Sequence, residues 1–190
     1  MITRNFINAI SCGGYMGFSN GTYIGASTIK KINGDLYKLS NNSPTSSGVE
    51  PEIFKNIREH LFYPLSPKVY TEDLGTETSN MANQTFVYVG SGNTKPTYDD
   101  FNLESVISLS KLKVKSHSIS KPCDFKSLCN ITVVFENISD EDIEVSEIGW
   151  FSKVCNGGGD TIVWALLARD VFDAIIMKPG EVRSFVMTIK

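Results

Sequence analysis

Two adjacent aspartates, Asp99 and Asp100, follow a glycine turn at Gly90-Ser91-Gly92, and Glu104 comes shortly after them. Acids beside a glycine turn are the raw material of a carboxylate pair for glycoside hydrolysis, or of a calcium loop. Neighbouring residues on an extended backbone point to opposite sides, so Asp99 and Asp100 do not converge on one substrate bond. A turn role suits them better. An Asp just after Thr97-Tyr98 accepts backbone N–H bonds and starts a helical turn through Leu103 and Glu104. Asp140-Glu141-Asp142 meets the same objection, and its loop lacks the glycine of an EF-hand.

Other chemistries find less. Neither Gly-x-Ser-x-Gly nor Ser-x-x-Lys occurs in a fitting context, and His60 and His117 are the only imidazoles to serve a nucleophile. Gly90-Ser91-Gly92 follows a strand-like run, but no third glycine, Gly-Lys-Ser/Thr or long helix follows it, which argues against a phosphate loop. His117, Cys123 and Cys129 are evenly spaced, with Cys155 further on, yet the tight ligand pairs of structural zinc are missing. Reduced, partly buried thiols are expected, Cys12 included. The seven tyrosines and two tryptophans fit a core or an interface as well as a sugar site. The expectation is therefore no catalytic residue, no cofactor and no metal, with any ligand-binding residues unassigned.

Charge narrows the partners. A formal net charge of -3 gives no electrostatic basis for gripping nucleic acid. Lys111, Lys113 and Lys115 alternate along one side of a strand and read as a solvated face. The longest apolar run, Ile162 to Met177, is broken by Arg169, Asp170 and Asp173, so no membrane-spanning helix is expected. The first residues lack the apolar stretch of a signal peptide, so export by that route is not expected.

The elements that would position these residues divide at Gln84. Residues 1–84 read as a loop-rich arm with one or two short helices. Ile2, Phe6, Ile7 and Ile10 share one helical face, and a second helix fits near 51–60, with Pro51 in its first turn and Ile53, Phe54, Ile57 and Leu61 at helical spacing. Asn33-Gly34, followed by Leu36-Tyr37, suggests a hairpin. From 85 to 190 strands follow one another: Thr85 to Val89, Val106 to Val114, Ile131 to Phe135, Ile143 to Ile148, Thr161 to Ala168 and Val182 to Ile189. Lys178-Pro179-Gly180-Glu181 has the order of a type II turn, and Asn156 to Asp160 reads as a hairpin tip. Short strands joined by turns predict a mainly β chain, with an antiparallel β-sandwich of jelly-roll or Ig-like type in the C-terminal half. The run Ile-Val-Trp-Ala-Leu-Leu-Ala at 162–168 asks for cover on both faces, from the core or from another subunit.

The stretch Val89 to Glu104, VGSGNTKPTYDDFNLE, resembles a motif of small virion proteins of tailed bacteriophages and related prophages, of the form V-G-x-G-x-T-x-P-T-x-D-D-x-x-L-E. The similarity continues through Ile131-Thr132-Val133, Asn137-Ile138-Ser139-Asp140, Ile143 to Gly149, Leu167 to Phe172 and Lys178-Pro179-Gly180-Glu181, covering about Phe86 to Lys190. The resemblance implies a non-enzymatic structural part of the phage particle, built as a β-sandwich. It would work by assembly with capsid, portal, neck or tail proteins and with copies of itself. Capsid decoration, head fibre, neck and tail positions are all compatible with it. Two rival expectations stand beside this one: a module binding host-surface glycans through loop aromatics, and a glycan hydrolase using Asp99, Asp100 or Glu104.

Overall fold

The computed structural model describes residues 1–7, 27–39, 85–120, 129–155 and 162–189. The helix expected near 51–60, the tip at Asn156 to Asp160, and His60, Cys12 and Cys123 lie outside the described residues. Strand accounts for 58% of the described residues, against one helical turn over 4–7, so the chain is mainly β.

The described residues hold eight strands: β1 (Ser27–Lys30), β2 (Leu36–Leu39), β3 (Thr85–Gly90), β4 (Leu112–Ser120), β5 (Cys129–Asn137), β6 (Ile143–Cys155), β7 (Ile162–Met177) and β8 (Val182–Ile189). They form a β1–β2 hairpin and two antiparallel sheets, ordered β3-β6-β7 and β4-β5-β8. Alternation explains the sheets. Along β8, Phe185, Met187 and Ile189 are buried while Ser184, Val186 and Thr188 face out. Both sheets feed one apolar cluster. Val87, Val89, Val145, Trp150, Ala165 and Leu167 meet Leu112, Val133, Phe135, Phe185 and Met187 there, and Phe6 and Ile29 join them from the N-terminal side.

The apolar run at the start of β7 is covered on both faces by the chain itself. Ala165 and Leu167 enter the main cluster, while Trp164 and Leu166 turn to a second one with Tyr88, Leu103 and Phe151. No second subunit is needed to bury it. The edge of β7 is closed at this run: Thr3 donates its N–H to the Leu167 carbonyl at 3.0 Å, and Ile2 bridges Ala168. The expected helix at the N-terminus starts at Arg4 rather than Ile2, and residues 8–10 lie outside the described residues. Residues 1–3 run extended along β7, and the turn over 4–7 buries Phe6 but leaves Ile7 exposed.

Three strand expectations shift, the simplest being that of β6, which is expected to end at Ile148 and runs on to Cys155. Residues 106–111 are not strand; Val106 only bridges Gly90, and Ile107 donates its N–H to Val89 O, so this segment covers the β3 edge and β4 starts at Leu112. Strand β7 runs on past Ala168 to Met177, because pairing with β6 continues through Glu147↔Val171 and, after a bulge, resumes at Val145↔Ile175. The Asn33-Gly34 hairpin forms, with the Asn33 side chain bonding Asp35 on both its atoms. The turn before β8 is as expected: Glu181 N–H reaches Lys178 O at 2.9 Å, and Gly180 takes the positive φ of 77° that a type II turn needs. Lys111, Lys113 and Lys115 are all exposed, as a solvated face requires.

Candidate functional site

The loop leaving β3 folds over a buried ion pair. Glu147 on β6 lies opposite Gly90, and Arg169 on β7 lies opposite Gly149. Their relative exposures are 0% and 3%. A charge this deep persists only when paired and hydrogen-bonded, and both conditions hold. Arg169 Nε donates to Glu147 Oε2 at 2.9 Å, its Nη1 donates to Asp100 Oδ2 at 2.9 Å, and its Nη2 donates to Thr94 Oγ1 at 3.3 Å. Glu104 Oε2 stands 3.7 Å from Nη2.

The carboxylates in turn gather the loop's backbone. Glu147 Oε1 accepts from Gly92 N–H at 3.1 Å and Ser105 N–H at 2.8 Å, and its Oε2 accepts from Glu104 N–H at 3.1 Å. Glu104 Oε2 accepts from the N–H groups of Asn93 and Thr94 and from the Thr94 hydroxyl. Asp100 accepts from Thr97 N–H at 3.0 Å and from its hydroxyl at 2.6 Å. The Ser146 hydroxyl donates to Gly92 O from below.

The glycines follow from this geometry. A Cβ on Gly92 would stand 2.6 Å from Glu147 Oε1 and 2.5 Å from Glu104 Cβ, and one on Gly90 would collide with Ser105 O and Glu147 Oε1. Only residues without a side chain let the backbone approach the buried carboxylate so closely. Leu103 then pins the returning arm into the second apolar cluster.

Electrostatics match the contacts. Burial pushes the Asp100 carboxyl up, but the Thr97 hydroxyl and N–H and the Arg169 guanidinium outweigh it and hold it below the ordinary Asp value. Glu104 is also held low, first by the Thr94 N–H and then by its hydroxyl. Burial alone would lower Arg169, but Asp100 and Glu147 raise it instead.

Asp99 and Asp100 do diverge. Asp99 pairs with Arg4 at 2.7 Å on the surface, where the Arg4 guanidinium also lies over the Tyr98 ring at 5.0 Å, while Asp100 turns inward to Arg169. The expected cap differs in direction, since Asp100 reaches back to Thr97, and no helical turn forms through Leu103 and Glu104. Asp100 and Glu104 do converge with a third acid, Glu147, but around an arginine. Two-carboxylate hydrolysis needs one carboxyl kept protonated near neutrality; Asp100 and Glu104 are shifted the opposite way. Asp140, Glu141 and Asp142 sit in an exposed turn, where Glu141 pairs with Lys111 at 3.4 Å. His117 is buried on β4. Among the described residues no three His, Cys, Asp or Glu stand together as a metal site, and no helix is long and apolar enough to cross a membrane.

Sequence reasoning did not single out Glu147 or pair it with Arg169. The signal was weak, because each strand carries other charges: Glu144 and Lys153 share Ile143–Cys155 with Glu147, and Asp170 and Asp173 share Ile162–Met177 with Arg169. Comparison with known protein families, curated proteins and solved structures finds no match for this chain.

Proposed function

We propose that this chain is a non-enzymatic structural component of a tailed-bacteriophage virion, a capsid decoration, head fibre, neck or tail-associated protein. Its two sheets would form a β-sandwich of jelly-roll or Ig-like type that acts by protein–protein assembly in the host cytoplasm. The observation that carries the reading is the use made of the VGSGNTKPTYDDFNLE stretch. Its glycines, threonines and acids are spent on hydrogen bonds to one another and to the Glu147–Arg169 pair, which builds a rigid corner and leaves no reactive group poised for substrate. A protein whose most distinctive residues stiffen a loop is suited to a particle, where subunits must hold shape. The partners would be neighbouring virion proteins and copies of the same chain.

A glycan-binding module is the second reading, and Tyr98 is the observation in its favour. Tyr98 is 42% exposed on the stiffened loop and is the one exposed aromatic among the residues whose side chains are described. Arg4 already occupies one side of its ring, which leaves a single stacking face.

Mass spectrometry of purified, stepwise-dissected phage particles tests the main reading. The chain is expected at a fixed copy ratio to the capsid protein; particles that lack it overturn the reading. A glycan array probed with the wild type and Tyr98→Ala separates the second reading, which requires binding that the substitution removes.

A further inference from the structure

The two main sheets have four outer edges, and the chain treats them unequally. The edge of β7 is covered at Leu167–Arg169 by residues 1–3, and the end of the β3 edge, at Val89 and Gly90, by residues 105–107. The edge of β4 carries Lys113 and Lys115, and its register breaks between Val114 and Ser116. Lysines and bulges of this kind keep a strand edge from pairing with another chain. Strand β8 has no such device. It pairs with β5 in unbroken register from Val182↔Glu136 to Ile189↔Cys129, and among the described residues nothing pairs with its other edge. From Ser184 to Ile189 it contains no charge, proline or glycine. Val182 and Val186 stand 51% and 57% exposed on its outer face.

We infer that the β8 edge is a docking surface for β8 of a second copy of this chain, paired antiparallel about a two-fold axis at Val186. The strand's own sequence selects that occupant and register. With Val186 opposite its copy, Ser184 faces Thr188 of the other chain, hydroxyl against hydroxyl. On the inner side Phe185 faces Met187, ring against thioether. Arg183 faces Ile189, so no charge meets a like charge. A shift by one residue sets Val186 against Ser184 and Arg183 against Met187, and loses these matches. Antiparallel self-pairing is isologous and closes after two copies, joining two β4-β5-β8 sheets into one. Its bearing on function rests on the assembly reading above, but the pairing itself rests on the strand.

The test uses the full chain in analytical ultracentrifugation, with Val186→Lys and Val186→Glu variants. Val186 is on the surface of the single chain, so both variants are expected to keep the wild-type circular dichroism. The wild type is expected to form a dimer. Either charge, set against its copy, is expected to weaken that dimer by more than about a hundredfold, and mixing the two variants to restore it as a heterodimer. A Lys113→Glu change on the opposite edge leaves dimerisation intact. A wild type that stays monomeric, or a dimer that both variants retain, overturns the inference. Loss of the dimer without rescue on mixing overturns the Val186 register. Particle composition is read separately: a monomer found in virions overturns the pairing and keeps the assembly reading, and a β8 dimer absent from virions does the reverse.

Discussion

Two corners of this molecule are organised by buried polar side chains, and they differ in charge. At one, Glu147 and Arg169 gather residues 92–105. At the other, the turn from β5 to β6, Asn137 does the same work as a neutral amide. Its Nδ2 donates to Glu141 O at 2.8 Å and Met177 O at 2.9 Å, and its Oδ1 accepts from Ser139 N–H and hydroxyl. Both residues are fully buried. The amide satisfies a short turn alone. The longer loop needs more acceptors than one amide has, and ionised carboxylates supply them at the cost of a buried counter-charge. Charge thus buys reach here and brings sensitivity to pH with it.

The comparison breaks most visibly at Glu147. Glu147→Ala leaves Arg169 without its deepest partner and strips the acceptor from the N–H groups of Gly92, Glu104 and Ser105. The expected loss is about 3–5 kcal/mol in urea unfolding. Adding Arg169→Met to that variant should recover part of the loss, since it removes the stranded charge; a double variant worse than either single one would contradict the pairing. Next comes close approach. Gly92→Ala is expected to cost about 1–3 kcal/mol as overpacking against the Glu147 carboxylate, read as a lowered urea midpoint. Asn137→Ala should cost about 1–3 kcal/mol for the hydrogen bonds it orphans, with a penalty that stays constant across acid pH.

Acid sharpens the contrast. The folded-state pKa of Asp100 lies below its ordinary value of 3.8. Its ionised form therefore stabilises the fold above that value, and the contribution is lost as pH falls below about 4 through the depressed pKa. Glu104, held below 4.5, adds to the same loss. Unfolding titrations should show a shallower acid slope for Asp100→Asn than for wild type, while Asn137→Ala keeps the wild-type slope. Smallest of all, Lys111→Ala removes a surface contact to Glu141 and should change stability by about 1 kcal/mol or less.

Much of the fold was legible in the sequence because alternation and turn chemistry are local. β8 falls on the expected residues, and Gly180 sits in the expected turn, since period-two burial and a Pro-Gly pair need no distant partner. The errors are non-local. Val106 to Lys111 has β-like residues, but its role is to cover the end of β3, which only the fold reveals. β7 reads as ending at Ala168 because the charge that follows, Arg169, suggests a surface; Glu147, Asp100 and Thr94 arrive from other elements to bury it. The corner was half visible. The glycines and acids of residues 90–104 announced a special loop, but the carboxylate that organises them comes from β6.

The seal on β7 has a consequence in time. Thr3 bonds Leu167 across 164 residues of chain, so the closing contact joins segments far apart in sequence. Loop closure of that length is slow compared with the β6–β7 hairpin it completes. That stretch of the β7 edge thus stays bare until residues 1–3 return to it. Separation along the chain, as much as final geometry, sets when this edge is closed to another strand.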